Sequence, residues 1–229
     1  MQDIVDQGFR YERKFLVEGL DRHQVVCSIK MHPGMFSEIY HPRFVNSLYL
    51  DSVGFDSYSA NVTGVAKREK ARIRWYGERT ERISKPVLEF KIKRGFLGRK
   101  DRFPLEPIVL GDGFSPSYFR RFIRAQKLPP EVKAFLAQLS VVLLNRYHRS
   151  YYLSADKRFR ITIDTHFEYF RISGLHNKFL ARQADHNSVV VELKYGPQDD
   201  SRAEKITSAF PFRVTKNSKY VEGVERLWV

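Results

Sequence analysis

The 229-residue chain has a single cysteine, Cys27, so no intramolecular disulfide can form and no cysteine-based zinc cluster can be built. Its apolar runs are all too short to make a membrane-spanning helix, which needs about 18 consecutive residues. The opening MQDIVDQGFRYERK carries no apolar stretch of the signal-peptide kind. A reducing compartment and a cytoplasmic location are therefore expected. There is no GxxxxGK[ST] phosphate loop, no GxGxxG fingerprint and no GxSxG nucleophile elbow, which removes the commonest nucleotide-binding and acyl-transfer plans. Acids are also scarce. Twenty-six Asp and Glu face forty Lys and Arg, a formal net charge of +14, and such an excess calls for an anionic partner.

What is present is alternation. Side chains along a strand point to opposite faces with a period of two. In ARIRWYG, Arg72, Arg74 and Tyr76 share one face and Ile73 and Trp75 the other. In VLEFKIK, Glu89, Lys91 and Lys93 oppose Leu88, Phe90 and Ile92. Joined through Gly77–Pro86, the two runs predict a hairpin with one apolar and one charged face. The pattern recurs in FRYERKFLV (Glu12, Lys14), RITID (Arg160, Thr162, Asp164) and VELKY (Glu192, Lys194), and NRYHR is read with Arg146 and His148 on the charged face.

Further strands are expected at 44–52, 99–105 after a Gly95–Gly98 turn, 140–154, 159–172 and 188–196. Helices are expected after the N-cap Asp21, at FDSYSANVTG, in a pair within 114–140 split by Pro129-Pro130, and in two C-terminal stretches, the last starting near Asn217. With no repeat, low-complexity tract or linker, residues 1–229 read as one β-dominated α+β domain with a helical insert at about 114–140. About eight strands would suffice for a closed antiparallel barrel. Its charged faces could be solvated outside. Some six helical stretches, however, need an apolar sheet surface to pack on, which favours helices outside and charges within.

The runs RYERKF, RIRWYG, LEFKIK, NRYHR, RITID, VELKY and TKNSKY, in that order, resemble the polyphosphate-polymerase domain of the vacuolar transporter chaperone (VTC) complex, one of the triphosphate tunnel metalloenzymes. The resemblance spans about residues 9–228. It implies an eight-stranded tunnel, charged inside, wrapped by helices, with a C-terminal helix closing one end. The implied activity is a phosphotransferase that moves the γ-phosphoryl group of ATP onto polyphosphate with Mn2+ or Mg2+. Matched by motif, Lys14, Arg72, Arg74, Lys91, Arg146 and Arg160 would hold phosphates in the tunnel wall, aided by Lys93, Lys194, Lys216, Ser218 and Lys219. Glu192 would bind the metal. Hydrolytic members open with ExExK; here Arg10 replaces the first Glu and leaves only Glu12, which matches the polymerase branch. The resemblance implies a stand-alone version of the bacterial kind, without the regulatory and membrane segments of the eukaryotic subunit, and a membrane-protein partner is left open.

Hydrolysis of a triphosphate, and plain binding of polyphosphate or RNA, are the competing functions, with nucleic acid disfavoured. His23, His32, His41, His176 and His186 read as surface residues without ligand spacing. His148 and His166 fall in strands. The aromatic runs YHRSYYL and HFEYFRI read mainly as packing, with base stacking as the alternative. Lys67–Arg74, the densest basic run, reads as a solvated approach leading into a strand.

Overall fold

The computed structural model describes residues 10–94, 97–111, 113–172, 179 and 182–228. Phe9, Gly95 and His176 lie outside the described residues. In chain order the elements are β1 (Tyr11–Val17), α1 (Arg22–Lys30), β2 (Ser37–Asp51), α2 (Asp56–Val62), β3 (Lys67–Tyr76), β4 (Glu81–Ile83), β5 (Val87–Arg94), β6 (Leu97–Pro104), β7 (Ile108–Leu110), α3 (Pro116–Ala125), α4 (Pro130–Ala137), β8 (Ser140–Leu153), β9 (Arg160–Arg171), β10 (Arg182–Asp185), β11 (Val189–Tyr195), α5 (Asp200–Ser208) and α6 (Lys219–Trp228).

The helix boundaries follow local chemistry. Asp21 accepts from the Gln24 amide while the Gln24 side chain accepts from the Asp21 amide, a reciprocal cap at the start of α1. Pro116 and Pro130 occupy the first turns of α3 and α4, where the missing N–H costs little. Ser115 caps α3 by accepting from the Tyr118 amide.

One antiparallel sheet runs in the order β1-β11-β9-β8-β2-β3-β5-β6, with β10 added on β9. The predicted hairpin of β3 and β5 forms with Arg72 opposite Glu89, and its connection carries the short β4, which pairs with β7. Strands β4, β7 and β10 are too short for alternation to reveal. The basic run 67–70 is strand rather than a solvated approach, so Lys70 continues the face of Arg72 and Arg74.

The sheet curls until its edges approach. Arg10 and Gly98 exchange two backbone hydrogen bonds of 3.1 Å, and Lys91 on β5 reaches Glu12 on β1 at 3.2 Å. Between the edge strands β1 and β6, this single bridge replaces a ladder, so the sheet is not a continuously hydrogen-bonded barrel among the described residues. The outer apolar face is covered by helices. Ile73, Trp75, Leu88 and Phe90 pack against Phe119 and Ile123 of α3 and Leu136 of α4. Phe15, Ile161, Val191 and Leu193 pack against Val25 and Ile29 of α1 and Ala203 of α5. His32, expected at the surface, is buried here between Phe36 and Phe210, with its ring nitrogens engaged by Ile206 O and the Gly34 amide. Among the described residues no helix is long and apolar enough to cross a membrane.

Candidate active site

The inner face of the curled sheet divides at one level. On the mouth side its residues are charged: Glu12 and Lys14 on β1, Arg149 on β8, Arg160 and Asp164 on β9, and Glu192 and Lys194 on β11. Further along the same strands it becomes apolar, with Leu16, Leu143, Phe167, Tyr169 and Val190. Helix α6 fills that second half with Tyr220 and Val224. A Cβ on Gly223 would lie 2.5 Å from Leu143 and 2.8 Å from Tyr169, so a side chain here would force both neighbours to move. Tyr220 donates from its hydroxyl to Asp51, and Asp51 also accepts from the Ser57 and Tyr58 amides, which ties α6 to α2. The helix begins at Lys219, two residues later than the sequence suggests, with Ser218 rather than Asn217 at its cap.

The charged half lines an inner chamber of about 60 Å³ and an outer one of about 140 Å³, both open to solvent, which share Glu12, Arg74, Lys91, Lys100, Arg149 and Lys194 in their walls. Across three adjacent strands the register sets Lys70 opposite Lys91 and Lys91 opposite Lys100, a row of lysines on one face. Like charges directly opposite are destabilising in a sheet. Burial pulls the Lys91 ammonium down to about 7; Glu12 counters this, while Lys14 and Arg72 add to it. Burial holds Lys70 and Lys100 well below the usual lysine range as well. The empty chamber is thus cation-rich and under-neutralised along this row.

The four carboxylates are embedded among bases. Arg72 donates from Nε and Nη2 to Glu89 Oε2 at 2.9 and 2.6 Å, and Arg74 stands 3.6 Å away. Burial alone would raise the Glu89 carboxyl, but Arg74 and Arg72 overcome it and hold it well below the usual range. Asp164, fully buried, takes Arg149 Nη2 at 2.6 Å and Lys219 Nζ at 2.6 Å. Glu192 is surrounded by Lys194 at 2.6 Å, Arg149 at 3.0 Å, and Lys14 and Lys219 at 3.5 Å. Its burial is likewise outweighed, by Lys194, Lys219 and Arg149, so it stays ionised.

Lys14 Nζ lies between two carboxylates, 3.3 Å from Glu12 Oε1 and 3.5 Å from Glu192 Oε1, and donates to Asn217 O at 2.8 Å. A lysine ammonium thus sits between the oxygens best suited to a hard divalent cation. Among the described residues no three His, Cys, Asp or Glu side chains converge as a metal cage. Mg2+ commonly takes one or two carboxylates and completes its shell with substrate phosphates and water. Glu12 and Glu192, whose oxygens lie 3.3 and 3.5 Å from Lys14 Nζ, are carboxylates of the kind such a cation takes.

The structure brings Lys14, Arg72, Arg74, Lys91, Lys194, Ser218, Lys219 and Glu192 to the inner chamber, and Lys93 and Arg160 to the outer one. Two expected residues are elsewhere. Arg146 is on the opposite face of β8, stacked 3.9 Å over Phe44 and 4.0 Å from Glu168. Register decides this, because Val45 pairs with both Tyr76 and Tyr147, so the odd positions of β8 share the face of Arg72 and Arg74. Arg149 takes the place expected of Arg146. Lys216 is exposed on the approach to α6 and lines neither chamber. Sequence reading also missed Lys70 and Lys100. Lys70 was signalled by its spacing of two from Arg72, and Lys100 by the pairing a short 95–98 turn imposes.

The sequence pattern of the VTC domain matches residues 9–228. The chain belongs to the VTC domain family. Three solved structures share the fold of this VTC domain. A candidate adenylyl cyclase of Hippeastrum, described as having a dominant triphosphatase activity, is 13% identical, with 97% of this chain and 98% of that one covered and a TM-score of 0.58. A candidate adenylate cyclase of Vibrio parahaemolyticus is 11% identical over 96% and 99%, with a TM-score of 0.53. The protein PH1819 of Pyrococcus horikoshii OT3 is 12% identical over 95% and 99%, also at 0.53. No curated protein matches the chain in sequence.

Proposed function

We propose that this VTC domain, residues 1–229 acting as one unit, is a polyphosphate polymerase that transfers the γ-phosphoryl group of ATP to the end of an inorganic polyphosphate chain in a tunnel-like chamber. The observation that carries this reading is the row Lys70–Lys91–Lys100. Three in-register lysines, with arginines beside them, are what a run of phosphates would neutralise. Arginine forks hold phosphate oxygens bidentately and lysines act as point charges, so Arg72, Arg74 and Arg149 would fix geometry while Lys14, Lys91, Lys100 and Lys219 balance charge. No covalent nucleophile is required. Holding donor and acceptor in line while bases face the developing charge is the whole of the protein's task. Glu12 and Glu192 would hold Mn2+ or Mg2+, which when bound screens the donor oxygens.

Hydrolysis of a nucleoside triphosphate or tripolyphosphate in the same chamber, with water as acceptor, is the second reading. The triphosphatase reported for the Hippeastrum neighbour motivates it. Purified protein with ATP and Mn2+ separates the two: a polyphosphate ladder on a gel supports the polymerase, and phosphate release without a ladder supports the hydrolase. Glu192→Gln should abolish metal-dependent turnover while metal-free tripolyphosphate binding is kept or tightened, since one carboxylate no longer repels the anion. Loss of both in a well-folded variant would remove Glu192 from the metal site.

A further inference from the structure

The aromatic run YHRSYYL supplies one member of a cluster at the rim of the outer chamber. The guanidinium carbon of Arg43 on β2 lies 4.1 Å from the ring centre of Tyr76 on β3 and 5.1 Å from that of Tyr151 on β8, and Arg43 Nε donates to the Tyr151 hydroxyl at 3.3 Å. Tyr40 stands edge-on to Tyr151, with ring centres 5.6 Å apart. Register shifts in β2 between Glu38 and Tyr40 and between Tyr40 and Arg43 bring Tyr40 and Arg43 into one cluster although their positions differ in parity. Tyr151 is buried beneath, but Tyr40 is 45% exposed, and Tyr76 is 49% exposed although Arg43 already stacks on its ring. Ring surface is thus left over for a second flat partner.

Position along the strands says what that partner is attached to. Arg74 and Arg149 line both chambers, whereas Tyr76 and Tyr151 line the outer one only. Each tyrosine follows its arginine by two residues on the same face of the same strand, a step of about 7 Å. That step is comparable with the reach of a ribose from phosphate to base.

We propose that this cluster holds the base of the donor nucleotide, stacked on Tyr76 beside Arg43, while the triphosphate leads inward past Arg74 and Arg149. A purine laid there extends a stack of guanidinium and phenol ring by one more layer. Stacking reads a π-face, which every base has, so the cluster registers that a base is present and not which purine it is. This rests on the proposed use of ATP in the same chamber. It adds to that reading the residues that tell a nucleotide from a bare phosphate chain.

The test compares metal-free binding of tripolyphosphate, ribose 5′-triphosphate, ATP and GTP to the full chain by calorimetry. ATP and GTP should bind alike, and at least about fivefold more tightly than ribose 5′-triphosphate, which carries the same charge without a base. Tyr76→Ala, checked for folding by its melting curve, should erase that advantage by lowering ATP affinity to the level of ribose 5′-triphosphate. Tyr76→Phe should keep it. Equal affinities for ATP and ribose 5′-triphosphate in the unaltered chain would overturn the inference, and this comparison decides even where Tyr76→Ala does not fold. So would a folded Tyr76→Ala that keeps the advantage intact or weakens both ligands by the same factor. Failure of tripolyphosphate and ribose 5′-triphosphate to bind at all would instead overturn the proposed function, so the two failures are told apart.

Discussion

The inner face of the sheet is built from continuous strands, yet its two halves obey opposite rules. In the apolar half, Leu143, Phe167, Tyr169 and Val190 are buried against Tyr220 and Val224 of α6, so the protein itself supplies the packing. In the charged half, the carboxylates are paired many times over while the lysine row has one carboxylate contact among the described residues, Lys91 with Glu12, which leaves cations in excess there. A single β-bulge helps to make the change. Between Arg146 and His148 the β8–β9 register slips, and His166 adopts a left-handed backbone with φ of 54°. The inner face of β9 passes from even positions (Arg160, Thr162, Asp164) to odd ones (Phe167, Tyr169). One half stores stability and the other gives it up to create a site.

The largest effect is expected where packing is complete. Phe167→Ala should destabilise the protein by about 3–5 kcal/mol, the usual cost of removing a buried ring. Urea denaturation measures it, and a loss below about 1 kcal/mol would mean the α6 half is not packed as described.

In the charged half the balance should invert. Arg74→Ala should lower tripolyphosphate affinity at least tenfold, taking about 1.5–3 kcal/mol for a hydrogen bond to a charged group. Ligand-free stability should hardly change, because Glu89 keeps Arg72 at 2.6 Å and Arg102 at 3.4 Å and one like charge is removed. Melting curves with and without tripolyphosphate read both quantities. A marked fall in the ligand-free melting temperature would make Arg74 a structural residue and erase the contrast.

The pH dependence gives a smaller and more diagnostic signal. Lys91 titrates at about 7 in the folded protein against an ordinary value of 10.5, so between these values the unfolded chain binds more protons. Ligand-free stability should then rise with pH across that window. Binding should run the other way. Neutral Lys91 must take up a proton to meet a phosphate, so tripolyphosphate affinity should fall by up to about tenfold per pH unit above 7. Calorimetry in buffers of different ionisation enthalpy counts the proton. Flat affinity through the window would mean that Lys91 is already charged in the empty chamber.

Much of this was readable from the chain. Strict alternation in ARIRWYG, VLEFKIK, RITID and VELKY separates the helix-covered face from the charged one, because each apolar position is bulky and each intervening one polar. The short strands β4, β7 and β10 escaped, since three or four residues carry too little periodicity. So did the division of the inner face, because Leu16 and Val190 look like ordinary strand residues until α6 is seen against them. His32 was misjudged because its partners, Phe36, Ile206 and Phe210, come from separate parts of the chain.

The smallest predicted effect tests the least legible position. NRYHR offers four polar residues in five, so alternation alone cannot say whether Arg146 or Arg149 faces inward. Pairing with β2 decides for Arg149, whose guanidinium lies 2.6 Å from Asp164 and 3.0 Å from Glu192. Arg146 instead covers Phe44 beside His166 and Glu168, in a separate outer depression. Arg146→Ala should therefore change tripolyphosphate affinity by less than about 0.5 kcal/mol, the range of a substitution remote from a site. Its stability cost should come from the uncovered Phe44 ring and should not depend on ligand. The same titration used for Arg74→Ala reads this variant directly. A loss comparable with that of Arg74→Ala would mean that β8 presents its even positions to the phosphate chain, and the register of the inner wall would have to be redrawn.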